Sequence, residues 1–341
     1  MTSVRMRWLG SALAVVATTL SAGCSPTTHT PDAGGLPISA VGEIELSGGP
    51  VRFDYASIDP SRGLMFLAHM GAGQLVEVDL HAGAVLRTIG DLPDVHGVIV
   101  VPDRHRVYAT ATGQNQVVAF DEDTGARLFA ASTGTYPDGL AYDPVHDTVW
   151  TTNERGGTET VVDADTGTVR GTVDLGGEVG NVVYDLATAT MIVAVQGRDE
   201  LAVIDPVSLT VTRRIPTPEC EGPHGQALDN VAQVMFVGCE HNATMVSVDL
   251  KAGTVTGHQA VGETPDVLVY DAELHRIYLA AESGWVSVFD HHEGRTTVLG
   301  SMMLADGAHT LALDPLTHHT YFPLPHGPGD RPVLLEYVPS D

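Results

Sequence analysis

The chain of 341 residues carries 17 lysines and arginines against 43 aspartates and glutamates, a formal net charge of −26. So acidic a body repels nucleic acid and anionic lipid surfaces, and neither is expected as a partner. Aromatic residues make up 6% of the sequence, too few for the stacking platform that a long single-stranded or polysaccharide ligand needs.

The N-terminus has the layout of an export signal. Arg5 and Arg7 precede an uncharged apolar run over residues 8–20, which is too short to span a bilayer permanently. The run ends in Leu20-Ser21-Ala22-Gly23-Cys24, which resembles the lipobox of bacterial lipoproteins. That resemblance implies removal of residues 1–23 as a signal peptide and acylation of Cys24, palmitate included. The mature protein would then be exported and held at the outer face of the cell membrane through this lipid alone. Residues 24–37, CSPTTHTPDAGGLP, read as a flexible polar tether, and residues 38–341 as the folded body.

The body repeats itself. Its clearest unit runs from PDGLAYDP at 137–144 through VWTTN at 149–153 and TVVDADTG at 160–167 to TVRGTV at 168–173. These are four β-branched, apolar runs of strand length separated by turn residues, enough for one antiparallel sheet. Two series of positions give the register independently. Asp79, Asp121, Asp163, Asp205, Asp249 and Asp290 close the third strands at spacings of 42, 42, 42, 44 and 41. Asp59, Val101, Asp143, Asp185, Asp229, Asp271 and Asp314 follow the first strands at spacings of 42, 42, 42, 44, 42 and 43. Asp before a tight turn accepts backbone N–H groups two residues on, so both series have a structural cause and no function is assigned to them.

Seven units predict an all-β, seven-bladed propeller of four-stranded antiparallel blades. The last unit has three strands, at 311–313, 320–323 and 333–338, and residues 40–46 are the best source of its missing outer strand. Closing the ring with the N-terminal strand removes long open sheet edges. The units, especially PDGLAYDP with VWTTN, and RVYAT at 106–110 with VVAFDEDTG at 117–125, resemble the YVTN family of propeller repeats over residues 40–339. The resemblance implies the fold and leaves function open, because that family hosts ligand-binding, surface and enzymatic members. The chain departs from it by never spelling YVTN and by carrying His where Asp is common.

In a propeller each innermost strand starts at one face, the top, so the residues there ring the mouth of the central channel. Counting five back from the second series gives Asp54, His96, Asp138, Gly180, His224, Asp266 and His309. Three histidines at one equivalent position should converge on one axis, unlike the eight that fall in turns at the opposite face, His291 among them. Ends of the second strands are expected to join them: His69, Asn153, Glu154, Glu240, His241, Glu282 and His326. Imidazole with carboxylate suits a divalent metal, Zn or Mn before Ca or Mg, held by His96, His224, His309, Asp54, Asp138 and Asp266.

With Cys24 assigned to the lipid, Cys220 and Cys239 remain in a compartment that permits disulfides. A bond between them would brace the loop that enters blade five beside His224. Two functions follow. The leading one is a binding protein that offers its top face and central channel mouth, with a His/Asp divalent-metal site there, to a small-molecule ligand or protein partner. The alternative is a metal-dependent hydrolase or lyase, lactonase-like, in which His224, His309 and Asp266 act on the substrate.

Overall fold

The computed structural model describes residues 35–340. The expected signal peptide, Cys24 and residues 25–34 of the expected tether lie outside the described residues. Seven four-stranded antiparallel sheets form the blades of a ring. Their innermost strands are Ala56–Asp59, Val95–Val101, Pro137–Asp143, Val182–Asp185, Pro223–Asp229, Pro265–Asp271 and Ala312–Leu313.

The core is a set of layers between blades, which explains why the middle strands are apolar on both faces rather than alternating. In Leu64–His69 every residue is buried. Phe66 and Ala68 pack with Val95, Val98 and Val107 of blade two, while Met65 and Leu67 pack with Tyr321 and Leu334 of blade seven. Outer strands have one face toward water, and Ala84–Ile89 alternates between exposed and half-buried accordingly.

Closure is as expected. The strand Ile38–Glu45 pairs antiparallel with Val333–Pro339 as the outer strand of blade seven. Ile44 and Leu46 enter the layer between blades seven and one, so the N-terminal strand ties the two ends of the ring together.

Both aspartate series serve turns, except that Asp290, expected to close a third strand, lies inside the strand Trp285–His292, which runs two residues further. Asp143 Oδ1 accepts from the backbone N–H of Val145 at 2.8 Å and of His146 at 3.1 Å. Asp121 Oδ1 accepts from Thr124 N–H at 2.9 Å, and Gly125 beyond it takes φ 70° to complete the turn. Cys220 and Cys239 are joined by a disulfide with Cα atoms 5.1 Å apart.

Candidate functional site

The inner strands do not begin regularly. In blades two, three, five and six the register with the second strand slips, between Val95 and Val98, Pro137 and Leu140, Pro223 and Gln226, and Pro265 and Val267. His96, Asp138, His224 and Asp266 sit in these irregularities, which re-aim a side chain that a regular strand would send into the layer between blades. Glycines follow three of them. A Cβ at Gly97, Gly139 or Gly225 would overlap Asp138 O, Asn181 Oδ1 or Asp266 O respectively, so only glycine lets neighbouring inner strands approach this closely.

The result is a polar cup of about 110 Å³ at the top of the channel. Asp54, His96, Asp138, His224 and Asp266 line it, with Glu154, Glu240 and Glu282 from the second strands' ends. His309 is buried behind Asp266. Its Nδ1 lies 2.8 Å from Asp266 Oδ2 and its Nε2 3.0 Å from Phe53 O. Each nitrogen faces an acceptor, an arrangement that favours the doubly protonated ring. Burial opposes that charge, but Asp266 outweighs it and raises the pKa of His309.

His224 Nε2 is 3.5 Å from Asp266 Oδ1 and 3.3 Å from the Tyr55 hydroxyl. Burial again works against protonation, yet Asp266, Glu240 and Asp138 push this pKa up to about 10. Burial would also discourage ionisation of Asp266, but its contacts with His224 and His309 hold the carboxyl well below the usual range. Asp54 is pushed up by burial and by the Asp266 charge. Asp138 is raised to about 7, chiefly by burial, with Asp54 adding to it while His96 and His224 pull the other way. His96 gives its Nδ1–H to Asp94 O at 2.7 Å and meets the Tyr136 hydroxyl through Nε2 at 3.1 Å.

Of the six proposed ligands, Asp54, Asp266 and His309 form the group suited to one ion. Each offers an atom within 4.8 Å of the others, and all three are buried. Two carboxylates and one imidazole are a donor set for a borderline or hard divalent ion. The Phe53 carbonyl that accepts the His309 Nε2–H is the kind of outer contact that orients a ligating ring, leaving Nδ1 to exchange its proton for a metal. His96, Asp138 and His224 stand around the same cup but outside this group.

Several expected neighbours point elsewhere. His69 is buried with its ring stacked on Phe53, centroids 4.1 Å apart. Asn153 donates to Thr158 and Thr160 within its own blade. His241 packs over Gly222 and lines a separate groove. His326 is paired with Asp330 at the surface. Strand ends share a face, but the side chain's direction depends on the local turn.

Three site residues were not anticipated. Arg52 clamps Glu282 through two hydrogen bonds of 3.0 and 2.7 Å, and Tyr136 stands at the rim under Arg155. Tyr55 is the third. Its hydroxyl crosses from blade one to Asn181 Oδ1 at 3.1 Å and to His224, making a floor between the cup and an apolar channel of about 240 Å³ below. The register held a clue to it, since Tyr55 occupies the position of Gly97, Gly139 and Gly225 in other blades.

Fold and site together define a seven-bladed β-propeller with an acidic, histidine-containing cup at one channel mouth. No family model matches the chain, and no curated protein matches it. Solved structures do. A streptogramin B lyase is similar at a TM-score of 0.72 and 12% identity, over 88% of this chain and 98% of that one. Virginiamycin B lyase from Staphylococcus aureus matches at 0.72 and 13%, over 87% and 99%. The WD40 repeats of RRP9 match at 0.73 and 11%, over 88% and 99%. At such identities the likeness is one of fold.

Proposed function

We propose that this chain is an exported, lipid-anchored propeller of YVTN-like repeats that binds a divalent cation, Zn or Mn before Ca or Mg, in its top cup. There it would take a small-molecule ligand or a protein partner. The observation that carries this reading is the convergence of buried Asp54, Asp266 and His309 from three blades. When bound, such a cation would offer Lewis acidity to a ligand oxygen. The chain's own residues orient His309 through Phe53 O, close one wall with the Arg52–Glu282 pair and floor the cup with Tyr55.

Metal analysis of dialysed protein, followed by titration with Zn and Mn, tests this. One equivalent should be retained or taken up, and His309→Ala should lose it while His291→Ala should not. Less than about 0.1 equivalent, with none taken up, would sink the proposal.

A second reading, a metal-dependent lyase or hydrolase, is favoured by one feature. A histidine held protonated up to about 10 and a carboxyl raised to about 7 share one cup, which supplies an acid and a base side by side. Two of the similar folds are lyases by name. On this reading His224 and Asp138 exchange protons with the substrate, while Asp266, itself held by His309, positions His224. Screening lactones, esters and substrates for elimination should then find turnover that His224→Gln abolishes while metal is retained; no turnover across the panel counts against it.

A further inference from the structure

The metal-fitting group occupies one side of the cup. The other side, from blades three to five, presents Asp138, Glu154 and Glu240. Asp138 is only 4% exposed, and its Oδ1 has no hydrogen-bond partner. A buried carboxylate oxygen without a donor is costly, and unlike Glu159, which is fully enclosed, Asp138 lines the cup, where a ligand can supply one.

The chain's own cations nearby are committed elsewhere. Arg52 is bound to Glu282, Arg155 lies over the Tyr136 ring at 3.8 Å, and His96 is held between Asp94 O and the Tyr136 hydroxyl. His224 turns its Nε2 to Asp266 and Tyr55, and its Nδ1, without a partner of its own, does not bond Asp138. Among the described residues, the close-set group that could hold an ion is Asp54, Asp266 and His309. Asp138, Glu154 and Glu240 therefore stand too far apart to ligate one small ion together. Carboxylates spread around a small volume suit a wider cation that reaches them through N–H bonds, and a primary ammonium has three such donors diverging from one charge.

We infer that this side of the cup binds the protonated primary amine of a small molecule, with Asp138 Oδ1 as its buried acceptor and Glu154 and Glu240 as its outer ones. The inference rests on reading the cup as a ligand site and names the chemical class of that ligand. Size refines it. The cup's 110 Å³ takes a head group and short stem, on the order of a few water molecules. Glu240 also lines a wider groove of about 420 Å³ with His241, Asn242, Glu263 and Thr264. The rest of the ligand lies there, over blades five and six, against polar groups that include a second glutamate and neither lysine nor arginine.

Titration followed by saturation-transfer NMR on the purified protein at pH 7.5 tests this, with n-propylammonium as the probe. Two controls separate its features: 1-propanol has the size without the charge, and tetramethylammonium has the charge without N–H donors. Propylammonium should bind at least tenfold more tightly than either. Asp138→Asn should weaken it at least tenfold, and Glu154→Gln at the half-exposed rim about threefold, which keeps the test open if the buried variant folds poorly. Protein stripped with EDTA should bind propylammonium within threefold of untreated protein, so the amine site and the metal reading can fail separately. Equal binding of either control, equal competition by potassium, or unchanged affinity in both variants would overturn the inference.

Discussion

The inner strands of blades three and six each carry two aspartates five residues apart, Asp138 with Asp143 and Asp266 with Asp271. At the bottom, Asp143 and Asp271 end a strand before a tight turn and accept that turn's own N–H groups, Asp271 from Glu273 and Leu274 at 3.1 Å each. At the top the strand is irregular and no such turn follows. Asp138 Oδ1 is left without a partner, and Asp266 is shared between histidines of blades five and seven. Asp271 also takes His318 Nδ1 of blade seven at 2.7 Å, so both of its oxygens are occupied. The same side chain is thus structural where a tight turn supplies donors to it, and available for binding where no such turn follows.

The sharpest way to break this comparison is Asp266→Asn beside Asp271→Asn. Removing the Asp266 charge strands two buried imidazoles and should cost about 3–5 kcal/mol of stability, together with metal uptake. The companion change should leave metal uptake intact. The pH dependence follows from His224. Its folded pKa is raised, so its stabilising contribution is complete below the ordinary 6.5 and is lost as pH rises through about 10. Thermal melts from pH 6 to 11 should show this decline in the wild type and a flatter profile in Asp266→Asn.

Reduction of Cys220–Cys239, which braces the top face near His224, comes next. A bond spanning 19 residues should contribute about 3 kcal/mol in the chain-entropy description. Calorimetry with and without reductant should show the loss, and an unchanged melting temperature would refute it.

Glu159 should move stability the other way. It is fully buried without a partner for either oxygen, and burial holds its carboxyl far above 4.5. In the register it stands where Leu75, Val117 and Leu201 lie in other blades. Glu159→Leu should gain about 1–3 kcal/mol at neutral pH. With the folded pKa raised, the wild type's penalty is absent below 4.5 and grows as pH rises, so the gain should shrink in acid. The smallest effect belongs to the bottom turns: Asp143→Asn should cost about 1 kcal/mol with metal uptake unaltered, measured by denaturant melts and metal titration.

Much of this arrangement was legible in the chain. The two aspartate series placed every blade, because each turn's chemistry is local and recurs wherever the turn recurs. The incomplete last unit pointed to the N-terminal strand that closes it. The ring positions followed from the same register, and five of them line the cup. The neighbours were less legible. His69, His241 and His326 occupy strand ends like those of Glu154, Glu240 and Glu282, yet stacking on Phe53, packing over Gly222 and pairing with Asp330 turn them away.

The sequence by itself determined the seven-bladed ring and its closure, since these depend on periodicity and on turn residues that act within a few positions of themselves. Only the tertiary structure decided which carboxylates meet which histidines. That choice rests on strand irregularities a fraction of a blade long, on glycines that let inner strands close in, and on Tyr55 reaching across the channel. Contacts between residues more than 100 positions apart, such as Tyr55 with Asn181 and His224, leave no periodic mark in the chain.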